Sequence, residues 1–276
     1  MNPLLHDLCP PLVARASRWR ANGLGWSGDF PTWQTAAARC AGYDQPAILE
    51  QIRLAAGRVR TGEGAYERDG VLFEEPAYSW PLLAVLLEVA AAHGGILRVL
   101  DFGGSLGSAY FQHRRWLDPL AAVEWCVVEQ EHFVRCGREE FADERLGFYS
   151  NIAACLAVSR PDLILLSSVL GYLPDPETVL RELAGLDAAS LLIDRTGFTR
   201  NGLERITVQR VPAEIYPATY PCRFFSRTAL VRLLAPQYEL VATFTALDEP
   251  PRFAEFLGLY FERRHEAGTA IRGVRP

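Results

Sequence analysis

The segment Arg98-Val99-Leu100-Asp101-Phe102-Gly103-Gly104-Ser105-Leu106-Gly107 constrains this chain more than any other. A short apolar run ends in an acid, and a glycine-rich turn follows at once. The spacing from Ser108 to Leu117 predicts a helix, and the run Trp125-Cys126-Val127-Val128 predicts a second strand closing on Glu129. Strand, glycine turn, helix, strand, acid is the arrangement by which an α/β sheet holds an adenosine-containing cofactor at the carboxyl ends of its strands. Glycines let the backbone turn sharply and approach a ligand. An acid at the end of the second strand can accept hydrogen bonds from both ribose hydroxyls. An ordinary tight turn between strand and helix is the plain alternative.

The order of residues separates cofactors. A dinucleotide site reads G-x-G-x-x-G, with a pyrophosphate on the helix N-terminus. Here the order is acid-x-Gly-Gly-x-x-Gly, and an acid just before the glycines repels a pyrophosphate. It suits a cationic ligand such as the sulfonium and ammonium of S-adenosyl-L-methionine. An NAD(P)-dependent oxidoreductase fits this order poorly.

The rest of the chain continues the alternation of strands and helices expected of such a sheet. Leu97–Asp101 and Trp125–Glu129 are the first two strands, with a helix over 132–141 and a third strand over 146–149. A short helix over 152–158 precedes a buried fourth strand over 161–168. A helix over 176–186, a fifth strand over 190–194 and a helix over 228–235 follow. A terminal antiparallel pair, 238–244 with 256–261, closes the fold. The expected class is therefore α/β, a mostly parallel Rossmann-like sheet with an antiparallel C-terminal hairpin. Residues 1–80 read as an N-terminal helical and loop cap, with helical spacing over 32–40 and 46–59, an aromatic loop over 23–30, and a turn leading into an extended stretch over 66–73. Residues 81–276 form the main domain. An insertion at about 197–225 leaves the carboxyl side of the sheet, where a substrate wall belongs.

With 276 residues and 49% hydrophobic content, the chain can bury a sizeable core. Its net charge of −5 disfavours a nucleic-acid backbone as partner. The six cysteines are scattered without metal-ligand spacing, and Cys126 and Cys155 read as reduced core residues. The start lacks the pattern of a secretory signal, and no apolar run is long enough to span a membrane. A cytoplasmic enzyme acting on a small molecule, with no metal, is the expected setting.

Asp101, Gly103 and Gly107 resemble motif I of the class I methyltransferases, whose usual form is acid-x-Gly-x-Gly-x-Gly; the sequence departs from it at Ser105, where the middle glycine belongs. Over nearly its full length the chain resembles a family of bacterial class I S-adenosylmethionine-dependent methyltransferases associated with polysaccharide-biosynthesis loci. The matching segments are 25–30, 66–69, 78–83, 99–108, 127–130, 164–170, 193–196, 215–216 and 220–221. The resemblance implies the class I fold and S-adenosyl-L-methionine as cofactor. It implies that Asp101 lies near the methionine ammonium, with Gly103, Gly104 and Ser105 in the turn and Glu129 on the ribose. Gln130 lies by the adenosine, Asn151 and Ile152 by the adenine, and Ser167 and Ser168 along the methionine end. A solvated acid at a strand end, or a serine capping the next turn, is the plainer role for these positions.

Transfer to a hydroxyl releases a proton, and a positioned base helps. The candidates are His132, Asp194 and Tyr172. Asp194 and Arg195 end the fifth strand, either as a structural ion pair or to orient the acceptor. Arg68, Asp69 and Tyr78 are expected to reach in from the cap, and Tyr216 and Tyr220 either stack on a ring-shaped acceptor or pack as buried loop aromatics. Two hypotheses follow. One is methylation of a hydroxylated small molecule, a sugar or sugar nucleotide foremost and another natural product otherwise. The other is a catalytically silent cofactor-binding partner of another enzyme.

Overall fold

The computed structural model describes residues 25–42, 46–211, 215 and 218–264. In chain order the elements are β1 (Gly25–Phe30), α1 (Trp33–Ala37), α2 (Pro46–Arg60), β2 (Tyr66–Arg68), β3 (Val71–Phe73), α3 (Trp80–Ala92), β4 (Ile96–Phe102) and α4 (Ser108–Leu117). They continue with β5 (Ala122–Val128), α5 (Glu131–Glu140), β6 (Leu146–Tyr149), α6 (Ile152–Leu156), β7 (Leu163–Ser167), α7 (Pro176–Ala184) and β8 (Ser190–Thr199). The last are β9 (Arg205–Val211), β10 (Ala218–Phe224), α8 (Arg227–Leu234), β11 (Tyr238–Thr245) and β12 (Ala254–Arg263). Among the described residues no helix is long and apolar enough to cross a membrane.

Seven strands form one sheet in the order β11-β12-β8-β7-β4-β5-β6. The five from β6 to β8 run parallel, while β12 is antiparallel to both β8 and β11. This is the mostly parallel, Rossmann-like sheet with an antiparallel C-terminal pair that the sequence predicts. The connections leave β4 in one direction through β5 and β6, then return to its other side through β7 and β8. The ends of β4 and β7 therefore flank the switch point, where such sheets open a crevice for ligands. Leu163 to Leu166 are all fully buried, which explains their unbroken apolar run: β7 is covered on both faces. Local signals place the helices. Asp175 and Ser226 cap α7 and α8, Asn151 caps α6, and Gly94 and Gly95 take positive φ just after α3.

Three segments differ from the sequence reading. Gly25–Phe30, expected as a loop, is a strand: β1 pairs antiparallel with β9, Trp26 opposite Gln209. With the β9–β10 hairpin it forms a separate three-stranded sheet. Two glycines and an irregularity after Ser27 hide the alternation that would mark a strand. Residues 66–73 form a complete hairpin, with Asp69 and Gly70 both at positive φ in a two-residue turn. Strand β8 runs to Thr199 rather than Asp194, because β12 continues to pair with it. At that junction Ile193 faces Leu259 and Thr196 faces Leu257, so Asp194 and Arg195 share Gly258 between them. This is a β-bulge, with Arg195 at φ +51°.

Arg205 anchors β1 to its partner. Its guanidinium donates to the Gly28 carbonyl from Nε (3.1 Å) and Nη2 (2.8 Å), and stacks 4.3 Å over the Phe253 ring. Arg205→Ala removes these contacts at a half-buried position. Hydrogen exchange should show faster opening of Trp26 to Phe30, by about 1 kcal/mol, with β4 and β7 unaffected. Equal loss of protection in the central strands would contradict this local role.

Candidate cofactor and acceptor site

The carboxyl ends of β4 and β7 and the bulge midway along β8 bring Asp101, Ser167 and Asp194 together; in the sheet register Asp101 faces Leu165 and Ser167 faces Asp194. Asp101 is 1% exposed. The Trp125 indole Nε1 donates to its Oδ2 at 3.0 Å, and its Oδ1 has no hydrogen-bond partner. Gly104 lies against this carboxyl so closely that a Cβ there would collide with it. Gly103, at φ +73°, leaves no room for a side chain against Val169. Ser105 occupies the departure from the motif but adopts φ +56°, the left-handed conformation that glycine takes without strain. The turn therefore keeps its path despite the substitution. Its amide donates to Glu129 Oε1 at 3.3 Å, and the Gln130 amide donates to Glu129 Oε2 at 2.7 Å.

Two adjoining spaces open along this edge. The larger is a cavity of about 950 Å³. Glu129, Gln130, Asn151, Ile152 and Phe102 line one part of it, and Trp26, Tyr172, Gln209 and Tyr220 line another. The smaller is a recess of about 100 Å³ bordered by Glu67, Asp101, the glycine turn, Ser167, His113 and Asp194. Arg68, Asp69, Gly103, Glu129, Ser168 and Arg195 border both, so the recess opens from the cavity.

Burial governs the electrostatics. It pushes Asp101 and Glu67 up to about 7 and Asp194 up to about 6. It also raises Glu129, against the two amide hydrogen bonds that lower it. Burial pulls His113 down to about 4, so its ring is neutral, and its Nδ1 donates to the Ala109 carbonyl at 2.9 Å. Beside the acids lies a quartet of opposite charges. Arg195 grips Asp248 through two nitrogens, at 2.8 and 3.0 Å, and reaches Asp69 at 3.2 Å. Arg68 stands 3.9 Å from Asp248 and over the Tyr66 ring. Burial works against the charge of Asp248, but Arg195 overcomes it and holds the carboxyl below its ordinary value.

Most of the residues singled out from sequence meet here. Asp101, Gly103, Gly104, Ser105, Ser167 and Asp194 border the recess, and Glu129, Ser168, Arg195 and Arg68 border both spaces. Gln130, Asn151, Ile152 and Tyr172 line the cavity, Asn151 also capping α6 with its carbonyl on the Ala154 amide at 2.8 Å. Three positions do not fit the sequence reading. His132 lines neither space; it lies in the first turn of α5, its ring 4.9 Å from that of Phe133. Tyr78 packs with Trp80, His113 and Trp116 instead of reaching in. Tyr172 is a poor base, since burial pushes its phenol well above the ordinary value and its hydroxyl donates to Gln209 Oε1 at 2.8 Å. Tyr216 lies outside the described residues.

Sequence reasoning missed Glu67, Asp248, Gln209 and Trp26. The Asp69-Gly70 turn was a usable signal for the hairpin that carries Glu67. Asp248 sits in the β11–β12 connection and acquires meaning only through Arg195, which lies 53 residues away.

No family model matches the chain, and no curated protein matches it. Among solved structures it is similar to the N-terminal domain of EvdMO1, determined in the presence of S-adenosylhomocysteine and D-fucose. Identity there is 15% over 78% of this chain and 97% of the other, with a TM-score of 0.47. It is similar to a 1,6-didemethyltoxoflavin-N1-methyltransferase of Burkholderia thailandensis, 17% identical over 82% of this chain and 95% of the other, TM-score 0.45. It is also similar to the glycopeptide N-methyltransferase MtfA, 13% identical over 66% of this chain and 87% of the other, TM-score 0.48.

A carboxyl whose folded pKa is raised binds a proton more readily in the native state. Its contribution to stability is full below the unfolded value near 4 and is lost as pH rises through about 7. Asp101→Asn keeps an acceptor for Trp125 and removes this loss. At pH 8 the ligand-free variant should be more stable than the parent by on the order of 1 kcal/mol or more, with little difference at pH 4. Thermal melts at the two pH values check this; lower stability of the variant at pH 8 would contradict it.

Proposed function

We propose that the chain transfers the methyl group of S-adenosyl-L-methionine to a hydroxyl of a small ring-bearing acceptor. The observation that carries this reading is the acceptor-rich edge of the sheet: a buried Asp101 with an unpartnered oxygen, held beside a turn that admits only glycine at position 104. A cationic, donor-bearing group is what that edge lacks. When bound, the cofactor supplies an electrophilic methyl on a sulfonium, which takes the bonding electron pair and leaves as a neutral thioether.

The residues fit this ligand. Asp101 faces its ammonium, with Ser167 and Ser168 along the same end. Glu129, oriented by the Ser105 and Gln130 amides, accepts from the ribose hydroxyls. Asn151, Ile152 and Gln130 border the adenine. The remaining volume of the cavity belongs to the acceptor, walled by the region before residue 80 and the 197–225 insertion through Trp26, Arg68 and Tyr220. Aromatic faces with a neighbouring Arg-Asp quartet suit a ring with hydroxyls on its edge, a sugar or sugar nucleotide foremost. Asp194, near 6 and bulged out of the strand pairing, serves as proton acceptor as the hydroxyl oxygen forms its bond to carbon. Arg195, Arg68 and the Tyr172 hydroxyl orient the acceptor. Alignment and exclusion of water supply the rest of the rate.

Calorimetry tests the reading. S-adenosylhomocysteine should bind at micromolar strength, about −8 kcal/mol, and NAD not at all; the reverse would overturn it. Glu129→Ala should lose about 1.5–3 kcal/mol of that affinity, and an unchanged affinity would remove Glu129 from the ribose. With labelled cofactor and a panel of sugars and sugar nucleotides, Asp194→Asn should slow methylation by about a hundredfold or more. In the parent protein kcat/KM should fall as pH drops through about 6. A flat profile between pH 5 and 8 would exclude Asp194 as the base.

A further inference from the structure

The recess of about 100 Å³ continues past Asp101, between α4 and the β2–β3 hairpin. Its walls there come from outside the central sheet. Glu67, on β2, is 4% exposed. The Ser108 hydroxyl, on the first residue after the glycine turn, donates to its Oε1, and the Gly70 amide donates to its Oε2 at 3.2 Å. Each carboxylate oxygen keeps a further lone pair. His113 is 1% exposed, and with its Nδ1 engaged by the Ala109 carbonyl, its Nε2 is a buried acceptor with no partner. Asp101 Oδ1 is another. The Gln112 amide donates to the Ala77 carbonyl and Arg195 to Asp248 and Asp69, while the Ser105 hydroxyl on the same wall has no partner. Against one free hydroxyl stand several carboxylate and imidazole acceptors, and unpartnered polar groups are costly when buried unless a donor-bearing ligand fills the space.

We propose that Glu67 is a second carboxylate for the ammonium of the bound cofactor, so that the hairpin outside the sheet grips the amino-acid end together with Asp101, which borders the same recess. This rests on the cofactor reading above and deepens it. The geometry gives the hairpin a reason to be where it is. The Asp69-Gly70 turn returns the Gly70 amide onto Glu67, and Ser108 ties the same carboxyl to the helix that follows the glycine turn. Burial keeps Glu67 partly protonated near neutral pH, while an incoming ammonium favours its charged form.

Two probes separate the amino-acid end from the rest of the ligand. S-adenosylhomocysteine carries the ammonium, and 5′-methylthioadenosine has the adenosine and sulfur without it. Glu67→Gln keeps the size of the side chain and removes its charge. Calorimetry should show S-adenosylhomocysteine weakened about tenfold, as for the loss of a charge-assisted hydrogen bond, and 5′-methylthioadenosine unchanged. Retained binding of the second probe also reports that the variant is folded. If both ligands weaken equally, Glu67 acts through the fold and the proposal is overturned; it is overturned equally if neither changes. Should Glu67→Gln fail to fold, Glu67→Asp keeps the charge but retracts it by one methylene, and a smaller loss confined to S-adenosylhomocysteine is expected. Equal affinities of the parent and Glu67→Asp for S-adenosylhomocysteine would overturn the proposal. If the parent protein binds neither probe, the cofactor reading itself fails, an outcome distinct from these.

Discussion

The burial of Asp101 sets the terms for everything around it. A carboxyl at the end of a central strand is cut off from water and receives one indole hydrogen bond, from Trp125. The next turn can follow only because position 104 has no side chain to meet that carboxyl. A folded chain that keeps an acid in such a place loses stability at neutral pH. The cost is offset only when something of opposite charge arrives. On the function proposed here, the glycine turn, the left-handed Ser105 and the orientation of Glu129 answer one requirement, a cationic ligand drawn up against the strand ends.

The second constraint is the bulge in β8. Without it, the alternation along the strand would carry the side chains after Ile193 in regular register against β12. The extra residue opposite Gly258 leaves Arg195 in a left-handed conformation and lets it reach Asp248 and Asp69 together. Arg195 thereby ties the β2–β3 hairpin and the β11–β12 connection to the sheet edge. The three-stranded sheet closes the far side of the cavity, with Tyr172 donating to Gln209 across the gap. Segments separated by well over a hundred residues thus meet around one space.

What could be read from sequence follows from how local each signal is. The parallel strands were legible because burial on both faces writes an unbroken apolar run, as in Leu163 to Leu166. The glycine turn was legible because Asp101 and its glycines are contiguous. Strand β1 was not, since its glycines at 25 and 28 break the alternation and its partner lies some 180 residues away. The length of β8 was hidden by the bulge, which changes direction without changing composition. His132 was drawn in by its closeness to Glu129 in sequence, yet on α5 it borders neither space. Glu67 and Asp248 look like ordinary surface acids until the hairpin and the loop fold onto Ser108 and Arg195.

The central claim is that the buried acids at the strand ends await a cation. Thermal melting from pH 5 to 8, with and without saturating S-adenosylhomocysteine, tests it most directly. Below pH 5.5 the acids are largely neutral without ligand, and above pH 7.5 they are charged and uncompensated. Because binding stabilises the folded state in proportion to the logarithm of affinity, the rise in melting temperature caused by the ligand should grow steadily across this range. It should shrink in Asp101→Asn. A rise of the same size at every pH would mean that the ligand does not meet the buried carboxylates, and would contradict the account.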